Sequence, residues 1–386
     1  MKLRWKFTRK ATVKVVAAVG VLCAVLYCSP YFIPRTVTVP HELWSLAYSP
    51  DGKTLATGDQ FAIDKPDGTH GGYGVGDLRL WGTRGSIFGD IAADPLTTPY
   101  LGIQRDKYNP IAATGPCTDI RFSPNSRYVM AANPTSSFGI WDTVEKRWIY
   151  HRPLSQVIMS KERCAPIGFS ADSSLCYYAV IQEGKPTEVQ RKNWKQPYQT
   201  DIIVQRISDG VVVGRLNDFL KDRVWPVKFR LLSDSKTLAC LTNNDGPTTG
   251  DGPGLLKLLN ITNGATLESW PIKRVRQDFS ASQDGRQFAT TGGNNGRMIV
   301  FNRGVVKPSV VNIPNGDSIS HSAFSPDGTQ IAACGWGGDI FVWDAHSLKP
   351  RKIIFGFDRF AMGVTFSPDS KTLAVASVLS VKFWKA

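Results

Sequence analysis

Seven segments of this chain repeat one hairpin pattern, and this repetition limits the possible folds more than any other feature. Each segment has a strand that ends near an aromatic residue, a polar turn of Ser, Pro, Asp, Asn or Gly, and in most copies a second strand rich in Leu, Ala and Val. This order of strand and turn residues is typical of β-hairpins. The segments are LAYSPDGKTLATG from Leu46, IRFSPNSRYVMAA from Ile120, IGFSADSSLCYYA from Ile167, VKFRLLSDSKTLACL from Val227, QDFSASQDGRQFATT from Gln277, SAFSPDGTQIAACG from Ser322 and VTFSPDSKTLAVAS from Val364. The repetition predicts an all-β chain built from one recurring unit.

A third strand follows most hairpins and often ends in tryptophan, and a fourth strand follows in most copies. The third strands reach Trp81, Trp141, Trp343 and Trp384, with Gln205, Leu259 and Phe301 at the same place in the weaker copies. In this pattern the chain resembles the WD40 family, whose units contain four strands in about 40 to 45 residues. The resemblance covers residues 35–386 and implies a seven-bladed β-propeller.

The chain also departs from the WD40 pattern. The glycine-histidine pair that usually opens a repeat is absent, and only two copies keep the Trp-Asp dipeptide, at Trp141-Asp142 and Trp343-Asp344. The buried Asp-His-Ser-Trp network of the family therefore cannot be carried over to this chain. We expect apolar packing between the blades to hold the ring together.

The seventh copy ends at Ala386 without an outer strand. Residues 35–40 form an alternating β segment just before the first blade. WD40 proteins commonly close their ring with such a strand, and pairing it with the last blade removes an exposed sheet edge. We therefore expect residues 35–40 to close the last blade.

The N-terminal segment has the pattern of a membrane anchor. Residues 1–14 form a basic head, and residues 15–34 contain no charge over twenty positions, which is about the length that crosses the apolar core of a bilayer. A cleaved signal peptide is the alternative, because the densest apolar stretch, 15–28, is short. The basic head predicts a cytoplasmic N-terminus and a propeller on the other side of the membrane.

Composition argues against several other functions. The net charge is +14, but six bases of the head account for part of it, and no Lys/Arg block interleaved with aromatics follows, so we expect no nucleic acid partner. The seven cysteines form neither a C-x-x-C motif nor a Cys/His cluster, so we predict no disulfide framework, no metal and no cofactor.

Four insertions are predicted to lie on one face of the propeller. In a propeller, the loops between second and third strands share a face with the connections between blades, and the hairpin turns lie on the opposite face. The insertions occupy 59–77, 93–115, 183–200 and 243–254. Long loops on a rigid ring are common recognition sites, although simple sequence drift is the alternative.

The hairpin turns carry a repeated base, and this predicts a basic rim that faces the membrane. Its members are Lys53, Arg127, Lys236, Arg286 and Lys371. Anionic headgroups would attract such a rim. The alternative is that a base after a polar turn is ordinary solvated surface.

The central channel is the third candidate surface. Positions one and three residues before each aromatic anchor predict a charged lining that contains Asp119, Arg121, Lys228, Arg276, Asp278 and His321. Such a lining could hold a small anion or a side chain of a partner, and internal ion pairs that only solvate the channel are the alternative.

No catalytic motif accompanies these features. The chain has no G-x-S-x-G, H-E-x-x-H, P-loop or dinucleotide fingerprint, so we assign no catalytic residues and predict a non-enzyme. The sequence favours a membrane-tethered scaffold that binds protein partners through the insertion-rich face. The alternative is an extracytoplasmic propeller that binds a small ligand in its channel.

Overall fold

The structure is a computed structural model that describes the following parts of the chain: 35–39, 42–63, 73–83, 119–132, 138–152, 162–184, 197–222, 224–244, 252–274, 278–292, 296–314, 316, 318–358 and 360–386. The predicted head and anchor, 1–14 and 15–34, lie outside the described residues. No helix in the described ranges is long and apolar enough to span a membrane.

The described residues form seven antiparallel sheets, each made of strands that follow one another along the chain. The first three sheets contain β2 (Glu42–Tyr48), β3 (Thr54–Ile63), β4 (Tyr73–Gly82); β5 (Asp119–Phe122), β6 (Tyr128–Ala132), β7 (Phe138–Asp142), β8 (Arg147–Arg152); and β9 (Glu162–Phe169), β10 (Leu175–Glu183), β11 (Tyr198–Arg206), β12 (Val212–Leu216). The next two contain β13 (Trp225–Leu231), β14 (Thr237–Asn243), β15 (Gly254–Asn260), β16 (Thr266–Ile272); and β17 (Phe279–Ala281), β18 (Gln287–Gly292), β19 (Arg297–Asn302), β20 (Ser309–Asn312). The last two contain β21 (Ile319–Phe324), β22 (Gln330–Gly335), β23 (Asp339–Asp344), β24 (Pro350–Phe355); and β25 (Ala361–Phe366), β26 (Thr372–Ser377), β27 (Ser380–Lys385) with β1 (Arg35–Thr38).

Seven apolar clusters join neighbouring sheets and close them into a ring. Each cluster takes buried residues from two successive sheets. The cluster that closes the ring combines Leu55 and Trp81 of the first sheet with Ala374 and Phe383 of the last. Burial of apolar surface is the main stabilising contribution here, as the departures from the family pattern led us to expect. The predicted all-β, seven-bladed propeller is confirmed.

One turn geometry explains the repeated hairpin sequence. In all seven hairpins the residue that opens the turn accepts a backbone bond from the third residue after it and donates one to the fifth. The third residue has a positive φ in every copy and is always glycine or serine: Gly52, Ser126, Ser173, Ser235, Gly285, Gly328 and Ser370. A positive φ is sterically unfavourable for a residue that has a Cβ atom, whereas glycine adopts it without a steric cost.

The turn Asp or Asn is selected for a second reason. Its side chain accepts a hydrogen bond from the backbone N–H two residues later, as in Asp51 to Lys53 at 3.0 Å and Asn125 to Arg127 at 3.1 Å. This local capture of a backbone donor is the usual role of Asx residues in turns. Each base of the predicted rim is the residue directly after the positive-φ residue of its turn.

The strand register confirms the predicted third-strand equivalences. Trp81, Trp141, Trp343 and Trp384 each pair with the second residue of the preceding strand. The same register applies to Gln205, Leu259 and Phe301. These seven third-strand positions are all buried. Their side chains fill the space between blades, and tryptophan is one of several residue types that can do so.

Strand β1 is the outer strand of the last sheet. It pairs antiparallel with β27, from Arg35 opposite Phe383 to Thr38 opposite Ser380. Val39 then donates a backbone bond to Leu379 and is almost fully buried. The two ends of the described chain are therefore held in one sheet.

Candidate functional site

The first strands of six blades line a central cavity of about 480 Å³. Blades one, two, four, five, six and seven contribute residues to it, and none of the described residues of blade three is among them. Five of the six predicted channel residues lie in this lining, namely Asp119, Arg121, Lys228, Asp278 and His321. Arg276 lies outside the described residues.

The lining contains two further polar residues that the sequence pattern does not predict, Arg230 and Ser280. In blades four and five the pattern places the aromatic anchor at Phe229 and Phe279, but the turns that open at Leu232 and Ser282 place Leu231 and Ala281 at this position. Counting one and three residues back from these positions gives a new pair for each blade: Lys228 and Arg230, and Asp278 and Ser280. All four line the cavity. The distance from the residue that opens the turn predicts Arg230 as a channel residue, whereas the distance from the aromatic residue does not.

Charged side chains form two ion pairs in the cavity lining, one within β5 and one between blades four and five. Arg121 Nη2 lies 2.9 Å from Asp119 Oδ1, and Lys228 Nζ contacts Asp278 Oδ1. Arg121 also donates to the carbonyl oxygen of Phe229 at 3.3 Å, which links blade two to blade four across the ring. Arg230 forms no ion pair or hydrogen bond with any described residue, although three charged groups lie close enough to influence it.

The environment shifts several pKa values in this cavity. Burial lowers the pKa of Arg230 to about 10, and the nearby charge of Arg121 acts in the same direction. Burial also lowers the pKa of His321 below 6.5, since the opposing effect of Asp278 is smaller. Burial acts to raise the pKa of Asp278, but Lys228 and the other positive groups hold it below 3.8. Among the described residues, the lining therefore contains three basic side chains, two carboxyl groups and one imidazole whose pKa lies below 6.5.

A pair of aromatic side chains lies on the face that carries the loops between second and third strands and the connections between blades, here called the loop face. Trp336 follows β22 and is 50% exposed. Its ring contacts Phe360, between β24 and β25, with centroids 5.5 Å apart in an edge-on arrangement. Phe360 has a φ of 44° and donates its backbone N–H to the carbonyl of Trp336 at 3.1 Å. Such a φ is strained for a bulky residue.

Exposed apolar residues continue around this pair. Phe355 ends β24 and Leu379 joins β26 to β27, and both are exposed. They lie at the same end of blades six and seven as Trp336. The described part of the loop face is therefore most apolar on these two blades.

The insertions predicted for the loop face are described only at their bases. Gly184 donates to the Pro197 carbonyl and Asn244 to the Pro253 carbonyl, each at 2.8 Å, so two insertions leave the propeller between second and third strands. Residues 64–72, 84–118, 185–196 and 245–251 lie outside the described part of the chain. The prediction of a binding surface on these insertions is not tested there.

The predicted basic rim lies in the hairpin turns, and each turn also carries an acidic or amide residue. The turns contain five bases and six aspartates: Lys53, Arg127, Lys236, Arg286, Lys371, and Asp51, Asp172, Asp234, Asp284, Asp327, Asp369. Arg127 is in addition paired with Asp142, with Nη2 2.8 Å from Oδ2. The turns alone therefore do not form a field of one sign, and contact of this rim with a membrane remains a prediction.

Among the described residues no group of three or more His, Cys, Asp or Glu side chains could hold a metal ion.

A family model described as "WD domain, G-beta repeat" matches residues 34–65 and 309–344. Each matched segment begins with the outer strand of one blade, β1 or β20, and continues into the inner strands of the next blade. The crystal structure of the β-propeller domain of Cps50 (Swd1) from Myceliophteria thermophila is similar to this chain, with a TM-score of 0.62 and 13% sequence identity over 92% of this chain and 99% of that chain. This similarity shows the fold. No curated protein matches the sequence.

Proposed function

We propose that this WD40-repeat propeller is a scaffold that binds a protein partner through its loop face. WD40 propellers are typical protein-interaction scaffolds. The observation that carries the proposal is the half-exposed Trp336, held against Phe360 beside exposed apolar residues of blades six and seven.

An exposed tryptophan fixed in one position is characteristic of binding hot spots. Tryptophan, tyrosine and arginine dominate such sites, and their energetic effect is largest where surrounding residues exclude water. The ring contact with Phe360 and the backbone bond between the two residues fix the indole before any partner arrives. Less conformational entropy is then lost on binding.

The insertions extend the same proposed surface. Those that join second and third strands leave the propeller from the face that carries Trp336. A partner centred on blades six and seven could reach them around the mouth of the channel. The four insertions predicted from the sequence would then form the outer part of a larger contact surface.

We further propose that residues 15–34 tether the scaffold to a membrane, with the N-terminus cytoplasmic and the propeller on the opposite side. The absence of charge over these residues supports this. The position of Arg35 supports the orientation, since it pairs with Phe383 near the end of β27 and so begins at the hairpin-turn face. The loop face would then point away from the bilayer. Carbonate extraction and protease protection of an epitope placed after Ala386 test the tether and its sidedness, and release of the protein by carbonate would contradict the tether.

Quantitative affinity purification of three forms of the chain tests the scaffold. Trp336→Ser removes the indole, and Val306→Ser removes an apolar side chain that is 91% exposed in the turn between β19 and β20 on the opposite face. We expect the recovery of specific partners to fall at least about tenfold for Trp336→Ser and to stay at the wild-type level for Val306→Ser. Equal recovery from all three forms would contradict the proposal.

A further inference from the structure

Among the described residues of its lining, the central cavity has one more basic side chain than it has carboxyl groups. Arg121 and Lys228 are each matched by a carboxylate, Asp119 and Asp278. Arg230 lines the same cavity and forms no ion pair or hydrogen bond with a described residue. An unmatched guanidinium in a desolvated place is unfavourable for stability, so its presence needs another explanation.

The arrangement of the strands concentrates positive charge around Arg230. Lys228 and Arg230 are two residues apart on β13, so both side chains point to the same side of the strand. Strand β5 of blade two contributes Arg121, whose charge acts unfavourably on Arg230. Asp119 and Asp278 act favourably on it but are already engaged by the other two bases.

Four buried polar atoms of the described cavity lining have no hydrogen-bond partner. They are Nε of Arg121, Nδ1 of His321, Oη of Tyr48 and Oδ1 of Asp119, the last of which is ion-paired with Arg121. Buried polar atoms normally have a partner, so the two nitrogen atoms are available to a bound group. Hydroxyl groups of Ser280 and Ser322 lie in the same lining, 2.9 Å from each other.

We propose that the central cavity of this propeller is a binding site for one carboxylate group, with Arg230 as its principal ligand and Arg121 and His321 beside it. One carboxylate neutralises the single excess positive charge. The planar guanidinium donates two parallel hydrogen bonds to such a group. A cavity of about 480 Å³ is within the range of small-molecule sites, so the carboxylate can belong to a small organic acid or to an acidic side chain inserted by a protein. This site goes beyond the proposed scaffold function, because it lies in the channel and does not involve Trp336.

Thermal unfolding of the purified full-length chain tests the site. The probes are sodium acetate, sodium chloride at equal ionic strength, and an end-blocked Gly-Asp-Gly peptide. We expect acetate or the peptide, but not chloride, to raise the melting temperature in a saturable manner that defines a Kd. Tighter binding of acetate points to a free acid as the natural ligand, and tighter binding of the peptide points to a side chain.

Two matched substitutions locate the effect. Arg230→Gln removes the cation and should weaken the Kd at least about tenfold. Arg286→Gln is the control, since this arginine is largely exposed in a hairpin turn, and it should leave the Kd unchanged. If Arg230→Gln cannot be purified, Arg230→Lys keeps the charge without the planar geometry and should weaken the Kd severalfold. The proposal is overturned if neither acetate nor the peptide has an effect beyond that of chloride, or if the Kd is the same in the wild type and in the Arg230 variant.

Discussion

At the hairpin turns, serine replaces glycine at strained positions because its hydroxyl connects neighbouring blades. Ser126 accepts a hydrogen bond from the backbone N–H of Asp51 at 3.0 Å, Ser173 accepts one from Asn125 at 3.1 Å, and Ser370 accepts one from Asp327 at 3.0 Å. Each bond joins the turn of one blade to the turn of the next. The energetic cost of the positive φ is thus offset by a hydrogen bond that glycine cannot form.

Ser235 tests this explanation, because it has a φ of 52° and no such bond is formed by its hydroxyl with a described residue. Replacing it by glycine relieves the strain of the positive φ and removes no hydrogen bond between blades. We therefore expect Ser235→Gly to raise the free energy of unfolding by about 0.5–1 kcal/mol. Ser126→Ala keeps the strain and loses the bond between blades, so it should lower that free energy by about 1 kcal/mol. Urea unfolding measures both, and changes of the same sign would contradict the explanation.

His321 makes stability depend on pH in a defined window. Its pKa in the folded chain lies below the ordinary 6.5, because burial and Lys228 disfavour the cation more than Asp278 favours it. As pH falls through 6.5 the unfolded chain therefore binds more protons than the folded chain, and the free energy of unfolding decreases. The stabilisation is present above pH 6.5 and is lost below it.

We expect the wild type to lose more free energy of unfolding between pH 7.5 and pH 5.5 than His321→Gln, as measured by urea unfolding at both values. Asp278 does not contribute in this window, because its pKa lies below 3.8 in the folded chain. Identical pH dependence in the two proteins would show that His321 is not kept neutral by its surroundings.

Among the strands, β1 has a larger role than its four residues suggest. It covers the edge of β27, and Val39 after it lies in the cluster between the last and the first blade. An uncovered edge strand is a site for aggregation. The strand therefore fixes the end of the ring and protects it.

A charge at Val39 should open this closure. We expect Val39→Asp to lower the free energy of unfolding by about 3–5 kcal/mol, since it places an unpaired carboxylate among apolar side chains. Thr38→Asp is the matched control, because Thr38 is exposed at the end of β1 and directly precedes Val39, and it should change stability by less than about 0.5 kcal/mol. Chemical unfolding and size-exclusion chromatography of both variants check this, and equal effects would argue against closure by β1.

The strands also show how far a sequence can predict such a fold. The hairpins and third strands were predictable because turn residues and apolar alternation are local signals. The frame of blades four and five was wrong by two residues, since Leu231 and Ala281 occupy the place that is aromatic in other blades. A strand has a period of two, so Lys228 and Asp278 were still placed on the channel side, while Arg230 and Ser280 were missed.

In the whole molecule, charged and aromatic side chains lie on different surfaces of the ring. The channel gathers charged side chains from blades two, four and five beside His321 of blade six, and the loop face carries the aromatic pair Trp336 and Phe360. The aromatic pair could not be predicted from the sequence, because Trp336 follows a second strand and has no counterpart in the other repeats. The proposed role of Trp336 rests on the exposure of its side chain and on its contact with Phe360. Both depend on how blades six and seven are joined.

Gly335 fixes the position of this pair. A Cβ at this residue would lie 2.1 Å from the carbonyl oxygen of Ser318, which is backbone and cannot move away easily. Gly335→Ala should therefore shift Trp336 and reduce partner binding as much as Trp336→Ser does. The expected readouts are a changed tryptophan fluorescence spectrum and a loss of partner recovery, and an alanine variant with unchanged recovery would contradict this role.

Site-specific photo-crosslinking in living cells tests the scaffold most directly. A photoreactive phenylalanine analogue is placed at Phe360 on the loop face or, as a control, at Val306 on the opposite face. We expect a discrete crosslinked protein from position 360 that is absent from position 306 and is lost when Trp336→Ser is added. No adduct from position 360, or the same adducts from both positions, would contradict a scaffold that binds through its loop face.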